Sequence, residues 1–378
     1  MGGEKLKVLL VGDASNCHNA LAGGLRKLGH EVVVASDGTE WMDTDRDIDL
    51  SRRWDNKLGG VELWLRIKRM LSRMTGFDVV SIATQGFVRL RPERQWRIYD
   101  FLRKNNRGIF YTALATDSNY VRFALDPECP LRYTEYKYGG KSTLYLRHEP
   151  QLADNWLSEE MAGFCNHIYD TIDGAVSILY EYDVALRRRL AADKIAYGGI
   201  PIDVDSLEYA ELPDNISKVR FFIGRHRRRV LEKGGELLEA AAKAVVERYP
   251  DRAELVIVEN RPYSEYLELL KSAHVLLDQL YSYTPATNAL LAMAYGRCVV
   301  SGAEPEYYDF IGEEDCRPII NGLPEYDTLV STLERLVLNP DEIVRRGKMG
   351  RAFVEKHNSD MVVAQRFLNF WQKRSNDD

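Results

Sequence analysis

Short apolar runs alternate with helical patterns along the whole chain. In the first half, an amphipathic stretch over Asn19–Leu28 that stops at Gly29 predicts a helix, and the apolar runs around it predict strands. These strands are Leu6–Val11, Glu31–Ala35, Asp78–Ile82, Ile109–Ala113 and Ala175–Leu179. Strands that alternate with helices favour a parallel sheet with helices on both faces, so this half is interpreted as a Rossmann-like domain.

A second series of the same kind begins at Val219. It contains a predicted helix over Gly235–Arg248 and strands at Val219–Ile223, Glu254–Val258, His274–Asp278 and Cys298–Ser301. Two glycines and a proline within Gly198–Asp203 mark the join, which leads into a polar connector. The pattern therefore predicts an α/β protein of two Rossmann-like domains, residues 1–200 and 201–359.

Length and composition agree with this division. The chain has 378 residues, 45% of them hydrophobic, which is enough for two cores. Its five cysteines lack the spacing of a disulfide framework or a zinc site, which indicates a reducing compartment. The chain shows neither an apolar signal region nor a run of eighteen apolar residues, so we expect a cytoplasmic protein.

The charge is unevenly distributed. The formal net charge is −6, yet residues 52–107 carry fourteen Lys and Arg against five Asp and Glu. This part of the first half is expected to meet something anionic. The overall acidity and the lack of a recognisable binding module make nucleic acid the weakest candidate partner, in spite of arginines at 187–189 and 225–229.

The most informative motif joins a buried strand to two cations. Phe221–Arg225 ends in Gly224 and Arg225, and Lys233 follows where a helix begins. Two positive charges beside the free N–H groups of a helix start suit a diphosphate, so Arg225 and Lys233 are the predicted catalytic residues. The alternative is a solvated loop, because Arg227, Arg228 and Arg229 follow directly.

A turn in front of a later helix offers a second phosphate-binding element. It comprises Pro285, Ala286, Thr287 and Asn288, which are small or polar and precede an apolar helical run. An ordinary N-cap by Thr287 or Asn288 is the competing interpretation.

These motifs resemble those of retaining GT-B glycosyltransferases of family 4. The resemblance spans nearly the whole chain and is carried by Gly199–Asp203 at the domain junction, by Gly224-Arg225 with Lys233-Gly234, and by Asn288–Val300. It implies two Rossmann-like domains that face each other across a cleft. It also implies that the closing helix, Asp360–Trp371, crosses back, so that residues 360–378 complete the first domain.

The same resemblance implies the chemistry. The donor would be a UDP- or GDP-linked sugar, moved with retention onto a glycan or lipid-linked acceptor in polysaccharide biosynthesis. The leaving diphosphate would help to deprotonate the acceptor while the cations stabilise it, so neither a metal nor another cofactor is expected.

The chain departs from the family pattern at the donor sugar. Tyr283 and Leu291 stand where the family places two glutamates, and a leucine accepts no hydrogen bond. Glu304 and Glu306, past the next predicted strand, are candidates to replace them, with plain surface carboxylates as the alternative. A catalytically silent relative that binds a sugar or a partner is therefore the second functional hypothesis, and an epimerase of the same architecture is the third.

Acceptor contacts are expected at the ends of first-domain strands. Asp13, Asn16 and His18 follow the first strand, although an N-cap role for Ser15 or Asn16 is equally open. Asp117 retains the aspartate of a family turn whose histidine is lost, and His148 is a candidate substitute for that histidine unless it is structural.

A predicted helix over residues 61–74 carries two kinds of face. Trp64, Ile67, Leu71 and Met74 share one side, and arginines lie beside them. Such a helix either lies on an anionic membrane, which would place the protein at the inner face of that membrane, or packs its apolar side on the sheet.

Overall fold

The computed structural model describes residues 5–39, 42–225 and 229–376, and the chain divides into two α/β units. Arg227 and Arg228 of the arginine run lie outside the described residues. The strands are β1 Lys7–Val11, β2 Glu31–Ser36, β3 Ile48–Asp49, β4 Val79–Ala83, β5 Gly108–Ala113, β6 Lys137–Tyr138, β7 Lys141–Ser142, β8 Gly174–Ser177, β9 Ile195–Tyr197, β10 Val219–Arg225, β11 Ala253–Glu259, β12 Val275–Leu277, β13 Cys298–Ser301 and β14 Ile320–Asn321. The helices are α1 Cys17–Lys27, α2 Lys57–Met70, α3 Pro92–Asn105, α4 Ser118–Leu125, α5 Leu144–His148, α6 Pro150–Leu157, α7 Glu159–Thr171, α8 Tyr180–Arg187, α9 Val230–Lys233, α10 Gly235–Arg248, α11 Tyr263–Lys271, α12 Thr287–Ala294, α13 Pro305–Ile311, α14 Tyr326–Leu338, α15 Pro340–Asn358 and α16 Asp360–Asn376.

The first unit contains a parallel sheet of seven strands in the order β3-β2-β1-β4-β5-β8-β9. The central strands are apolar on both faces, as a sheet covered by helices on both sides requires, and every residue of β4 is buried. The strand order reverses between β1 and β4, and ligands of open α/β sheets bind at such a reversal. The first predicted domain is therefore confirmed as Rossmann-like.

The last helix, α16, belongs to this first unit, as predicted. Its aromatic side chains pack where glycines leave room: a Cβ on Gly174 would lie 2.6 Å from the Phe370 ring, and one on Gly198 would lie 2.2 Å from the Phe367 ring. Trp371 is fully buried, and its ring centroid lies 6.1 Å from that of Phe110 on β5. Burial of three aromatic rings ties the end of the chain to the first sheet.

The second unit contains a parallel sheet of five strands in the order β11-β10-β12-β13-β14. Successive side chains of β10 point to opposite faces of this sheet. Phe221 joins the core beneath α10 and α14, whereas the Phe222 ring meets Tyr266 of α11 at 5.4 Å. The second Rossmann-like domain is also confirmed.

The observed units differ from the predicted division at two places. The first unit is formed by residues 1–128, 151–203 and 360–378, and the second by 129–150 and 204–359. Residues 129–150, which the prediction assigned to the first domain, thus pack with the second. The junction falls after Asp203 rather than at residue 200.

The apolar side of residues 61–74, predicted to meet either a membrane or the sheet, packs within the first unit over α2 and the short turn that follows it. Ile67 and Met74 are buried in the first core, and Trp64 packs partly against it. A different stripe is exposed, made of Trp54 ahead of the helix and three residues along it, Leu58, Val61 and Leu65. In the part of the chain that the structure describes, no helix has the length and apolar content needed to cross a membrane.

Candidate donor site and acceptor-side loops

The end of β10 sends Gly224 and Arg225 to opposite faces of the second sheet. A Cβ on Gly224 would lie 2.6 Å from the hydroxyl oxygen of Tyr266, so only glycine allows the tyrosine to cross the strand at this point. Arg225 faces α10, where its guanidinium forms an ion pair with Glu239 and lies 3.5 Å from a carboxylate oxygen of Glu259. The hydrogen bond to Glu239 raises the pKa of Arg225, which stays a cation.

Lys233 ends α9 and pairs with the residue that follows β12. Its Nζ lies 3.1 Å from Oδ1 of Asp278, whose side chain is only 2% exposed. The backbone supports this position, since the carbonyl of Lys233 accepts a hydrogen bond of 2.9 Å from the N–H of Leu280. A buried carboxylate therefore holds the predicted catalytic lysine.

Asn288 and Tyr266 extend this ion pair into a hydrogen-bonded chain. The Asn288 amide donates to Oδ1 of Asp278 at 3.3 Å, and the Tyr266 hydroxyl donates to Oδ1 of Asn288 at 2.6 Å. We call Tyr266, Lys233, Asp278 and Asn288 the lysine cluster. The structure thus brings Gly224, Lys233 and Asn288 together through Tyr266 and Asp278, but it leaves Arg225 on the other face.

The N-terminus of α12 lies beside the lysine cluster because Asn288 is its second residue. The N-cap is Ala286, and no described side chain caps the helix. Asn288 instead turns to Asp278, so the N-cap interpretation of this residue does not describe the structure. Pro285 is buried and Thr287 is half-buried at the same turn. An uncapped helix start beside a lysine is suited to a phosphate group.

Tyr283 lies in the loop after β12, where an arginine from the 129–150 segment contacts it. Its hydroxyl accepts a hydrogen bond of 2.6 Å from the backbone N–H of Arg132, and burial raises the pKa of Tyr283 to about 12. The Arg132 side chain pairs with both Glu304 and Glu306. The predicted replacements for the family glutamates are thus next to Tyr283, but they are held by a cation of the chain itself. Leu291 is half-buried on α12.

In the first unit, the loop after β1 is organised by Asp13 rather than by Ser15 or Asn16. Its carboxylate accepts hydrogen bonds from the backbone N–H groups of Ala14 at 2.7 Å, His18 at 2.8 Å and Asn19 at 3.2 Å, so it caps α1. Desolvation nevertheless raises the pKa of Asp13 to about 7. Asn16 adopts a left-handed backbone with φ of 65° and makes no capping bond to the helix.

His18 is fully buried beside Asp13. Its Nδ1 lies 2.8 Å from the carbonyl of Gly12 and must donate, which leaves Nε2 as an acceptor without a hydrogen-bond partner among the described residues. Burial lowers the pKa of His18 to about 4, so the ring is neutral at physiological pH. The residue is suited to accept a proton or a hydrogen bond.

Asp117 caps α4 and is enclosed by tyrosines. It accepts a hydrogen bond of 2.7 Å from the N–H of Tyr120, together with hydroxyl bonds from Tyr111 and, at 2.6 Å, Tyr169. Burial raises its pKa. His148 lies exposed on α5, which packs with the second unit.

Sequence reasoning missed Thr84, which directly follows β4 at the reversal of strand order. Thr84 has φ of 54°, a conformation that is strained for a β-branched residue, and its hydroxyl donates at 3.3 Å to the carbonyls of Ala115 and Thr116. Asp278, Tyr266 and Arg132 were also missed, because only the fold brings these positions to the site. A lone aspartate after a short apolar run was the one available signal, at Asp278.

The fold defines the chain as a GT-B protein, and solved structures of that architecture match it along nearly its whole length. A sucrose-phosphate synthase from Thermosynechococcus elongatus superposes with a TM-score of 0.65 at 16% identity, covering 99% of this chain and 100% of the other. HepE of Anabaena in complex with UDP and glucose superposes with a TM-score of 0.58 at 11% identity, covering 97% of this chain and 100% of the other. A candidate UDP-N-acetylglucosamine 2-epimerase from Listeria monocytogenes superposes with a TM-score of 0.53 at 12% identity, covering 97% of this chain and 95% of the other.

No protein-family model matches the sequence. No curated protein matches it either.

Proposed function

We propose that this protein is a glycosyltransferase that takes a sugar from a nucleoside-diphosphate donor. The observation that carries the proposal is the lysine cluster beside the uncapped start of α12, at the carboxyl edge of a Rossmann-like sheet. UDP is the favoured nucleotide, because HepE, of similar fold, was solved with UDP and glucose.

In this proposal, Lys233 and the first N–H groups of α12 bind the diphosphate and stabilise the charge that develops as it leaves. Asp278 orients the lysine, and Asn288 and Tyr266 orient Asp278. Arg225 contributes a second cation once it is released from Glu239. Retention, with the leaving diphosphate helping to deprotonate the acceptor, remains part of the proposal, and no step requires a metal.

We further propose that the acceptor is a glycan or is lipid-linked, and that the protein meets it on an anionic membrane through the exposed stripe. Trp54, Leu58, Val61 and Leu65 expose from 42% to 72% of their surface. Residues 52–69 around them carry six Lys and Arg against two Asp and Glu, so charge complementarity favours an anionic lipid surface. A second copy of the chain would bring the same cations to the stripe and be repelled.

The decisive experiment is calorimetric titration of the full chain with UDP. We expect binding by the wild type and a loss of at least about tenfold in Lys233→Ala, because a charge-assisted contact to phosphate is removed. Lys271→Ala is the matched control, since Lys271 is also partly exposed and pairs with Glu268 at 2.7 Å. Absence of UDP and GDP binding by the wild type would refute the proposal.

Turnover separates the transferase from its alternatives. A transferase releases UDP only when an acceptor is present, an epimerase changes the sugar without releasing UDP, and a silent relative binds the donor without consuming it. Incubation with UDP-sugars and membrane extract, followed by detection of both UDP and the sugar, distinguishes the three.

A further inference from the structure

Residues 129–150 extend along the carboxyl edge of the second sheet. Arg132 and Tyr133 contact the loops after β12 and β13. The Tyr138 hydroxyl donates to Glu325, beyond β14, at 2.7 Å, and α5 packs against α9, which follows β10. This one segment, which we call the strap, therefore touches the loops after four of the five strands. Those loops form the part of the unit where the donor is proposed to bind.

Arg132, a residue of the strap, contacts both candidate carboxylates. Its Nε and Nη2 lie 3.1 and 3.0 Å from the two carboxylate oxygens of Glu306, and Nη2 also bonds Glu304. Its guanidinium lies 5.6 Å from the centroid of the Tyr283 ring. One cation thus joins both candidate sugar-binding carboxylates to the aromatic side chain that replaces a family glutamate.

Tyr133 reinforces the same contact. Its ring stacks on that of Tyr283 with centroids 4.9 Å apart, and its hydroxyl donates to Glu304 at 2.6 Å. Burial alone would raise the pKa of Glu304, but hydrogen bonds from Tyr133, Asn321 and Arg132 lower it overall. Glu304 is therefore an ionised, buried anchor for the strap.

The two carboxylates differ in how readily they can exchange partners. The Glu304 side chain is 3% exposed and fully committed to protein groups, whereas that of Glu306 is 40% exposed. A half-exposed ion pair gives little net stability and exchanges readily with other hydrogen-bonding groups. Glu306 can accept hydrogen bonds from sugar hydroxyls only if its oxygens are released from Arg132.

We propose that the strap closes over the sugar end of the donor site and that Arg132 is its latch, released from Glu306 when the donor sugar binds. This rests on the proposed function, since the sugar is that of the nucleoside-diphosphate donor. Glu304 and Tyr133 anchor the closed strap, and the Arg132–Glu306 pair is the part that opens. Arg132 is a positioning residue in this scheme.

Limited trypsin digestion of the full chain tests the latch without any ligand. The β6–β7 hairpin turns at Gly139 and Gly140, both with positive φ, and presents exposed Lys141 at its tip. We expect Arg132→Gln to speed cleavage after Lys141 by about tenfold, because charge-assisted hydrogen bonds that hold the strap are lost. Arg147→Gln is the matched control: it also removes one exposed strap arginine, and among the described residues the Nε of Arg147 donates to the carbonyl of Thr143, within the strap itself. Equal cleavage of all three proteins would overturn the latch.

Ligand titration tests whether Arg132 competes with the donor sugar for Glu306. With UDP, UDP-glucose, UDP-galactose and UDP-N-acetylglucosamine as probes, we expect Arg132→Gln to leave UDP affinity unchanged and to raise the affinity of at least one UDP-sugar relative to UDP. Glu306→Gln should speed cleavage less than Arg132→Gln does, because Arg132 keeps its bond to Glu304, and it should lower that ratio because the carboxylate itself is gone. If the affinity for every UDP-sugar relative to UDP is unchanged or lower in Arg132→Gln, Arg132 does not compete with the donor sugar for Glu306.

The two proposals fail separately. If neither the wild type nor Arg132→Gln binds UDP or GDP, the proposed function is refuted, and the cleavage rates still decide whether the latch exists. If UDP binds and the cleavage rates are equal, the proposed function stands and the latch is refuted.

Discussion

Lys233 and Asp278 form an ion pair of 3.1 Å although they are 45 positions apart in the chain. The pair joins the helix that follows β10 to the end of β12, so it closes the carboxyl edge of the second sheet. Because Asp278 is buried and Lys233 is partly exposed, the carboxylate is the fixed member and the lysine can turn toward a ligand.

Removal of the fixed member should destabilise the second unit. Asp278→Ala leaves Lys233 and Asn288 without their shared acceptor. We expect the free energy of unfolding to fall by about 2–3 kcal/mol. This is a small cost for a broken buried pair, because Lys233 keeps some access to water. Urea denaturation measures this cost. Asp309→Ala is the control, because Asp309 is exposed and pairs with Arg317 at 3.2 Å, so its loss should cost about 1 kcal/mol or less. Equal costs for the two variants would contradict a structural role for Asp278.

The fold was largely predictable because apolar runs recur along the sequence where the central strands are buried. Each long central strand of the two sheets was predicted within a few residues, since both faces are covered and the apolar runs are continuous. The strands β3 and β14 were missed. Each contains only two residues at the edge of a sheet, which is too short for a pattern to form.

The site was predicted less completely. Gly224 and Lys233 could be proposed from the sequence because each lies next to a strand end or a helix start. The strap was not assigned to the second unit, because the contacts of Arg132 lie more than 150 positions away in the sequence, at Tyr283, Glu304 and Glu306. Side-chain alternation at the end of β10, which turns Arg225 toward α10, was also not visible from a motif alone.

Asp13 should make stability depend on pH. Its pKa is about 7 in the folded chain against 3.8 when it is unperturbed, so the folded state holds this proton from about pH 4 to pH 7 while the unfolded chain loses it. Stability therefore falls as pH rises through this window, by on the order of 4 kcal/mol for a shift of about three units. Asp13→Asn should remove that decrease, so its stability relative to the wild type should improve steadily from pH 4 to pH 7.

His18 acts in the opposite direction and must be separated from this effect. Its pKa is about 4 when folded against 6.5 unperturbed, so stability is lost as pH falls through this range. Chemical denaturation of Asp13→Asn across pH 4–7 should therefore reveal the rise with pH that His18 contributes. If the difference in unfolding free energy between the variant and the wild type does not change with pH, Asp13 is ionised throughout and the argument is wrong.

The exposed stripe should determine membrane binding. Leu58→Ser with Leu65→Ser removes two side chains that would enter the lipid, and burial of a leucine is worth about 1.5–3 kcal/mol, so partitioning onto anionic vesicles should fall by at least about tenfold. Cosedimentation with vesicles of phosphatidylglycerol and phosphatidylcholine measures it. Leu338→Ser, an exposed leucine of α14 in the second unit, is the matched control.

Salt and lipid charge test the electrostatic half of the same proposal. Binding should weaken as ionic strength rises and disappear on purely zwitterionic vesicles, because the six cations of residues 52–69 supply much of the attraction. Wild-type protein that fails to bind anionic vesicles at low salt would eliminate the membrane proposal and leave the donor chemistry untouched.

Arg225 allows a prediction whose sign distinguishes two roles. If Arg225 must leave Glu239 to reach the diphosphate, neutralising that carboxylate should strengthen UDP binding, because the competing anion is gone. Glu239→Gln should then bind UDP more tightly than the wild type, and Arg225→Ala more weakly. If Glu239 instead holds Arg225 in its working position, both variants should bind UDP more weakly.

Calorimetric titration distinguishes the two roles. Glu334→Gln is the control, since Glu334 also pairs with an arginine, Arg248, on a helix of the same unit. Unchanged UDP affinity in Arg225→Ala would remove this arginine from the donor site and leave Lys233 as the cation that the proposal requires.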